Sequence, residues 1–363
     1  MTEWPRRETR QVKVRDLAIG GGSPVSVQGM VKRPAHDGPA VLAQVTELAD
    51  AGCELCRLAV PDAEAASVLG WVARHTTVPL VADIHFDYRL ALLAIDAGAA
   101  KLRVNPGNLG GPDRLREVAL SAAAAHVPIR VGVNLGSLDQ AIAAKHGYTG
   151  QAMAESALQE VRQLEDLGFD AIVVSAKAPD VQRTVQAYRE LSTRTAWPLH
   201  LGVTEAGPGD AGLIKSAVGI GTLLAEGIGD TIRVSLTEDA VAEIDAGYAI
   251  LQSLGLSDRA AELVSCPTCG RCQFDLLPVA QEVARRLRSV PGPLTVAVMG
   301  CAVNGPGEAR RADVGIAGAA GDQAVLFAGG QVLRSVSAQE AVDELFAQIG
   351  RIQANPSRKE RSR

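Results

Sequence analysis

From Pro24 to about Gln252, short β-branched and aliphatic runs alternate with longer Ala- and Leu-rich segments whose apolar positions recur at helical spacing. Strands are expected to begin near Val25, Glu54, Pro79, Lys101, Ile129, Ala171, Leu199 and Thr231, each followed by a helix before the next. The segment after Gly150 shows the pattern. Met153, Ala157, Leu158, Val161 and Leu164 share one helical face, Gly168 stands where a left-handed residue ends the helix, and the strand AIVVSA follows. Eight βα units in about 230 residues predict a closed (β/α)₈ TIM barrel, since an open doubly wound sheet rarely strings so many units together.

The texture changes after Gln252. Leu254 to Val264 reads as a linker, CPTCGRC opens a helix-like segment through Arg288, and LTVAVMGC reads as a strand ending on a cysteine. DVGIAG and AVLFAG resemble edges of a small sheet, and AQEAVDELFAQIGRI is a closing amphipathic helix. The expected division is a barrel over 1–253, a smaller α/β domain over 254–353 and a polar tail over 354–363. A chain of 363 residues, 47% hydrophobic, has material for both cores. The opening MTEWPRRETRQVKV has no apolar core of a secretion signal, and no run approaches the roughly 18 apolar residues of a membrane helix, so a cytoplasmic protein is expected. A net charge of −5 argues against nucleic acid as the main partner.

In a (β/α)₈ barrel the site lies at the C-terminal ends of the strands. Those ends supply Gln28, Arg57, Asp83 with His85, Arg103 with Asn105, Arg130 with Asn134, Lys177, Glu205, and Arg233 with Ser235. Five are permanent cations set in apolar runs, where an unpaired charge is costly. A bridge to Asp or Glu would explain any one of them. All five together point to one shared anion, a phosphate or diphosphate, which Arg grips bidentately and Lys meets as a point charge. His85 belongs to this rim, whereas His200 lies within its strand and is left open between core and site. Glu205, the one glutamate at a strand end, is placed to act as acid or base or to orient an arginine.

The six cysteines fall into groups: Cys53 and Cys56; Cys266, Cys269 and Cys272; and Cys301 alone. Without a secretion signal this favours thiolate–metal chemistry in a reducing compartment. Two close thiolates and one distant one can close around a metal or an iron–sulfur cluster. The fourth position is open between Cys272 and Glu308, which a turn at Asn304-Gly305-Pro306-Gly307 would bring back towards Cys301; structural zinc is the competing occupant. Cys53 and Cys56 flank the start of the second strand three residues apart, on what should be opposite faces, which predicts buried packing rather than chelation.

Taken in order, VADIHFDYRLAL, LRVNPGNLG, PIRVGVNLGSL, PLHLGVTEAG, IKSAVGIGTLLAEGIGDTIRVSL, SCPTCGR and GCAVNGPGEA span nearly the whole chain, which resembles the 4-hydroxy-3-methylbut-2-en-1-yl diphosphate synthases of non-mevalonate isoprenoid synthesis. The resemblance implies a barrel and a [4Fe–4S] domain working as a homodimer, with the barrel of one subunit facing the cluster of the other. It implies cluster ligands at Cys266, Cys269, Cys301 and Glu308, leaving Cys272 a bystander. Diphosphate and substrate contacts match Arg57, His85, Arg103, Arg130, Asn134, Lys177, Arg233 and Ser235, with Asn304 near the cluster and Glu205 as proton donor. The implied reaction is two-electron reductive opening of 2-C-methyl-D-erythritol 2,4-cyclodiphosphate, with reduced flavodoxin or ferredoxin as donor. The chain departs from the family after its first barrel strand, where Gln28-Gly29-Met30-Val31-Lys32 replaces a Gln-Ser-Met-Thr-Asn-Thr run. No large insertion separates the domains, as in the two-domain bacterial layout. Two other classes compete: a colourless, zinc-containing barrel for phosphate esters or pterins, and an electron-transfer module whose barrel is only a scaffold.

Overall fold

A computed structural model describes residues 5–301 and 311–354, which form two compact units divided between Leu256 and Ser257. That boundary falls three residues after the one expected from sequence.

The first unit opens with a hairpin, β1 (Val12–Val14) and β2 (Leu17–Ile19), which the hydrophobic pattern left unassigned. Val14 and Ile19 bury against Leu55, Val81 and Ala100, near the N-terminal ends of three barrel strands, so the hairpin stops that end of the barrel. Its two-residue loop carries Arg15 at φ 52°, with none of the Gly or Asn that normally signals such a turn.

Eight parallel strands follow: β3 (Ser26–Met30), β4 (Leu55–Ala59), β5 (Leu80–Asp83), β6 (Lys101–Val104), β7 (Ile129–Asn134), β8 (Ile172–Lys177), β9 (His200–Leu201) and β10 (Thr231–Ile232). Their order is β8-β7-β6-β5-β4-β3-β10-β9, and a parallel bridge between Val174 and Leu199 joins the two ends. The expected barrel is therefore present, with each strand within a residue of its predicted start. Outward residues such as Leu102, Val104, Val131 and Val174 join one continuous core with the surrounding helices, leaving the alternate positions to the bore. Six helices start on an aspartate, Asp37, Asp62, Asp87, Asp139, Asp180 and Asp239, whose carboxylate accepts a backbone N–H of the first turn. Each such cap contributes about 1 kcal/mol and fixes where a βα loop ends.

The second unit is a mixed sheet in the order β11 (Glu262–Ser265), β12 (Thr295–Met299), β13 (Val314–Ala319), β14 (Gln323–Ala328), β15 (Gln331–Ser337), with the first three strands parallel. Two readings need correction here. The segment expected to be linker ends in strand β11, and DVGIAG and AVLFAG are interior strands because β15 lies outside them. Helices Leu276–Leu287 and Ala341–Gln353 bury Val283, Leu287, Leu345 and Ile349 against one face of the sheet. The helix expected from CPTCGRC onward begins only at Leu276. Asn304, Glu308 and the tail from residue 355 lie outside the described residues.

Candidate active site

Parallel register brings the predicted charges together. Asp83 is level with Arg103 and Arg103 with Arg130 on adjoining strands, and Asn134 is level with Lys177. Asp83 is the hub: Arg103 Nη1 lies 3.3 Å from Oδ1, Arg57 Nε 3.7 Å from Oδ2, and His85 Nε2 3.3 Å from Oδ2. Arg103 also donates to the carbonyl of Gly132 at 3.0 Å. Arg233 bonds Ser235 and pairs at 3.2 Å with Glu243, whose other oxygen is 3.1 Å from Lys32 Nζ. The departing first loop is thus tied to the site: Lys32 meets Glu243, and Met30 Sδ lies 2.9 Å from Arg57 Nε.

Two glycines make room for this crowd. A Cβ on Gly132 would stand 2.6 Å from Arg103 Nε, and one on Gly202 would stand 2.7 Å from Lys177 Nζ. Neither cation could cross the bore past a side chain at those positions.

The reading that a bridge to Asp or Glu explains a cation holds for Arg57 and Arg103, which share Asp83, and for Arg233, which pairs with Glu243. It fails for Arg130 and Lys177, which form no ion pair among the described residues. Arg130 is 2% exposed, with one donor on Ser175 Oγ at 3.0 Å, while Nε and Nη2 have no partner. Burial, then the neighbouring cations, push the pKa values of Arg130 and Lys177 well down. Burial also works against the Asp83 carboxylate, but Arg57, His85 and Arg103 outweigh it and hold its pKa below the usual range. Five cations facing two carboxylates leave a positive surplus that an anionic ligand would neutralise.

His200 is wholly buried with both ring nitrogens unpartnered, near the strand starts that also hold Lys101, Ser26 and Thr231. Burial and then Lys177 and Arg130 drive its pKa far down, so it is a neutral residue of the barrel floor. His85 and Glu205 are exposed at the rim, on the loops after β5 and β9. Glu205 has φ 52°, a left-handed conformation that costs a residue with a Cβ on the order of 1 kcal/mol or more.

Glu160 was missed by the sequence reading, although it lies on the helix Gly150–Asp166 beside the buried face of Ala157, Val161 and Leu164. Burial raises its pKa to about 8, against the pull of Arg103, and Oε2 has no partner. The folded protein therefore keeps a proton that the unfolded chain releases near pH 4.3. Stability from this group is full below that value and is lost as pH rises towards about 8, by up to several kcal/mol at 1.36 kcal/mol per pH unit. Glu160→Gln should raise the melting temperature more at about pH 8.5 than at about pH 5. Equal shifts at both pH values would exclude the buried proton.

In the second unit, Cys266 follows β11 and Cys301 follows β12, neighbouring parallel strands whose carboxyl ends lie side by side. Cys266, Cys269, Cys272 and Cys301 line one cavity of about 120 Å³. Cys266 Sγ accepts the N–H of Gly300 at 3.2 Å, whereas the Cys272 thiol donates to the carbonyl of Phe274 at 3.1 Å. Among the described residues no three His, Cys, Asp or Glu side chains are gathered as ligands of a single metal ion. Cluster thiolates stand farther apart, since each holds its own iron.

Cys53 precedes β4 rather than lying in it, so the expected placement on opposite strand faces is wrong. Its Sγ is 3.5 Å from that of Cys56, and both are buried and free.

Residues 9–248 match the model of the GcpE TIM-barrel domain and residues 262–351 that of the GcpE protein C-terminal domain. A protein of Geobacter sulfurreducens named 4-hydroxy-3-methylbut-2-en-1-yl diphosphate synthase (flavodoxin) is 52% identical over 96% of this chain and 99% of its own length. One of the same name from Symbiobacterium thermophilum is 52% identical over 94% and 92%. Among solved structures, Yersinia pestis dihydropteroate synthase covers 68% of this chain and 98% of its own, with a TM-score of 0.50 at 14% identity, a likeness of barrel fold alone.

Proposed function

Because this chain belongs to the GcpE family of 4-hydroxy-3-methylbut-2-en-1-yl diphosphate synthases, we propose residue by residue how it opens 2-C-methyl-D-erythritol 2,4-cyclodiphosphate to 4-hydroxy-3-methylbut-2-enyl diphosphate. The observation that carries the assignment is the cation surplus in the barrel, above all the unpartnered donors of Arg130. Arg57, Arg103, Arg130, Lys177 and Arg233 hold the diphosphate, with His85, Asn134 and Ser235 as hydrogen-bonding groups at its edge. Cleavage of the ring C–O bond frees one more phosphate oxygen to carry charge. The fixed guanidinium and ammonium groups favour that state over the closed ring. Glu205, exposed at the rim, delivers the proton with which the substrate hydroxyl leaves as water.

Cys266, Cys269 and Cys301, with Glu308, would hold a [4Fe–4S] cluster, and Asn304 would stand near it. The donor set fits: three thiols share one cavity at adjoining strand ends, and a backbone N–H already addresses Cys266. When bound, the cluster supplies the two electrons singly and offers an iron without a thiolate as Lewis acid. Reduced flavodoxin is the proposed donor, as in the names of the relatives, with ferredoxin as its alternative. Cysteines outside any disulfide suit the cytoplasm. No helix among the described residues is long and apolar enough to cross a membrane.

The direct test is iron and acid-labile sulfide content of anaerobically purified protein, followed by dithionite-driven reduction of the cyclic diphosphate. Iron, sulfide and turnover are expected together; zinc in place of iron would refute the assignment. Glu205→Gln should keep cluster and substrate affinity and lose turnover. We also propose a homodimer in which one subunit's barrel works with the partner's cluster. Mixing inactive Glu205→Gln and Cys269→Ala proteins should then recover about a quarter of the wild-type rate, since random exchange makes half the dimers mixed, each with one intact site. No recovery after verified exchange would place barrel and cluster of one site in the same chain.

A further inference from the structure

Cys53 and Cys56 play no part in the chemistry above, yet their surroundings are not those of simple packing. The sulfurs touch at 3.5 Å, the Cys53 thiol donates to the carbonyl of Leu55 at 2.9 Å, and its sulfur accepts the N–H of Gly29 at 3.1 Å. Gly29 leaves the space this needs, for a Cβ there would stand 2.9 Å from Cys53 Sγ. The two thiols are also unequal. The hydrogen bond from Cys56 draws the pKa of Cys53 down, while the same bond, and then burial, push Cys56 up. Once the Cys53 proton leaves the Leu55 carbonyl, the sulfur addressed by the Gly29 N–H becomes the nucleophile while Cys56 beside it keeps its proton, the division that sulfenate formation and resolution require.

We propose that Cys53 and Cys56 form a redox-active dithiol that hydrogen peroxide closes to a disulfide, and that closure loosens the hold of Arg57 on the diphosphate. In the first step the Cys53 thiolate attacks one peroxide oxygen, the O–O bond breaks, and the departing hydroxide takes a proton to become water. In the second, Cys56 loses its proton and attacks the sulfenic sulfur, whose hydroxyl leaves as a second water. Two thiols are oxidised by two electrons, one peroxide is reduced, and a small thiol reverses the change.

Closure moves atoms on both sides of Arg57. The sulfurs must approach from 3.5 Å to about 2.05 Å, withdrawing Cys53 from Gly29 and removing its hydrogen from the Leu55 carbonyl. Cys56 immediately precedes Arg57 on β4, and Gly29 immediately precedes Met30, whose sulfur contacts Arg57 Nε. The link to diphosphate rests on the function proposed above; the dithiol chemistry does not.

The experiment treats anaerobic holoenzyme with graded hydrogen peroxide, traps remaining thiols with an alkylating reagent and maps tryptic peptides by mass. Both cysteines fall on one peptide ending at Arg57. That peptide should lose two hydrogens and both alkylation sites, and dithiothreitol should restore them. Pyrophosphate affinity, by calorimetry, should fall about tenfold in the oxidised protein and recover on reduction, one charge-assisted hydrogen bond being lost. A Cys53→Ala/Cys56→Ala protein given the same peroxide controls for cluster damage and should show no fall. Thiols that remain alkylatable throughout, or Cys53 passing to sulfinic acid without a disulfide, would overturn the dithiol. A disulfide with unchanged pyrophosphate affinity would overturn the link to Arg57. Reduced protein that binds no pyrophosphate would remove that link by striking the functional reading, with the peptide masses still deciding the dithiol.

Discussion

Arg130→Met should bind inorganic pyrophosphate on the order of a hundredfold more weakly than the wild type and, without ligand, should melt at a higher temperature. Both effects have one cause. Arg130 is buried with Nε and Nη2 unpartnered, so the ligand-free barrel bears an uncompensated charge that methionine, of similar length, removes. Replacing buried ionic groups by apolar ones is often neutral or stabilising by 1–4 kcal/mol. In the complex the same guanidinium meets an anion in a water-poor bore, where truncating one partner of a buried charge pair costs about 2–5 kcal/mol. Calorimetric titration and thermal melts with and without pyrophosphate read both effects. A lower melting temperature with unchanged affinity would make Arg130 a structural residue. Arg103→Met should not raise the melting temperature in this way, because Arg103 is paired with Asp83 and its loss takes one of three partners from that buried carboxylate.

This contrast marks what the sequence could and could not convey. Strand-end position placed Arg57, Arg103, Arg130, Lys177 and Arg233 in one bore, because strand starts follow from periodicity and inward facing follows from alternation. Pairing did not follow. Asp83 serves three partners, and Glu243, on the helix Ala240–Ser253, serves Arg233 and Lys32; both depend on which side chains neighbouring elements bring together, which no local pattern encodes. Glu160 was hidden for a related reason: a single glutamate near an apolar helical face reads as its polar border until neighbouring loops are seen to cover it. The Cys53–Cys56 contact is not legible in the spacing because strand alternation does not reach Cys53, which precedes the strand that begins at Leu55, so three residues apart does not mean opposite faces. Hairpin β1–β2 escaped because Arg15 takes a left-handed conformation at a position where sequence signals rely on glycine or asparagine.

Cys266→Ala, Cys269→Ala and Cys301→Ala should each abolish the iron–sulfur cluster, and Cys272→Ala should keep it, although all four sulfurs line the same cavity. The difference lies in what each hydrogen bond requires of the sulfur. A cluster ligand is a thiolate, which accepts hydrogen bonds and has none to give. Cys266 accepts from Gly300 N–H and already stands in that role. Cys272 donates its hydrogen to the Phe274 carbonyl, and its own N–H is bonded to the carbonyl of Cys269. Ligation by Cys272 would break the first of these bonds and bring a bare thiolate against a carbonyl oxygen. The sulfur also fills the space beside Gly300, where a Cβ would come within 2.6 Å of it, as a packing group does. Iron and sulfide content with visible absorbance of each variant decides the matter, and Cys272→Ser guards against a packing defect in the alanine variant. Serine keeps the donor to Phe274 but is a poor iron ligand, so an intact cluster in Cys272→Ser confirms a thiol outside the ligand set. Loss of the cluster in both Cys272 variants, or its survival in Cys301→Ala, would instead make Cys272 a ligand.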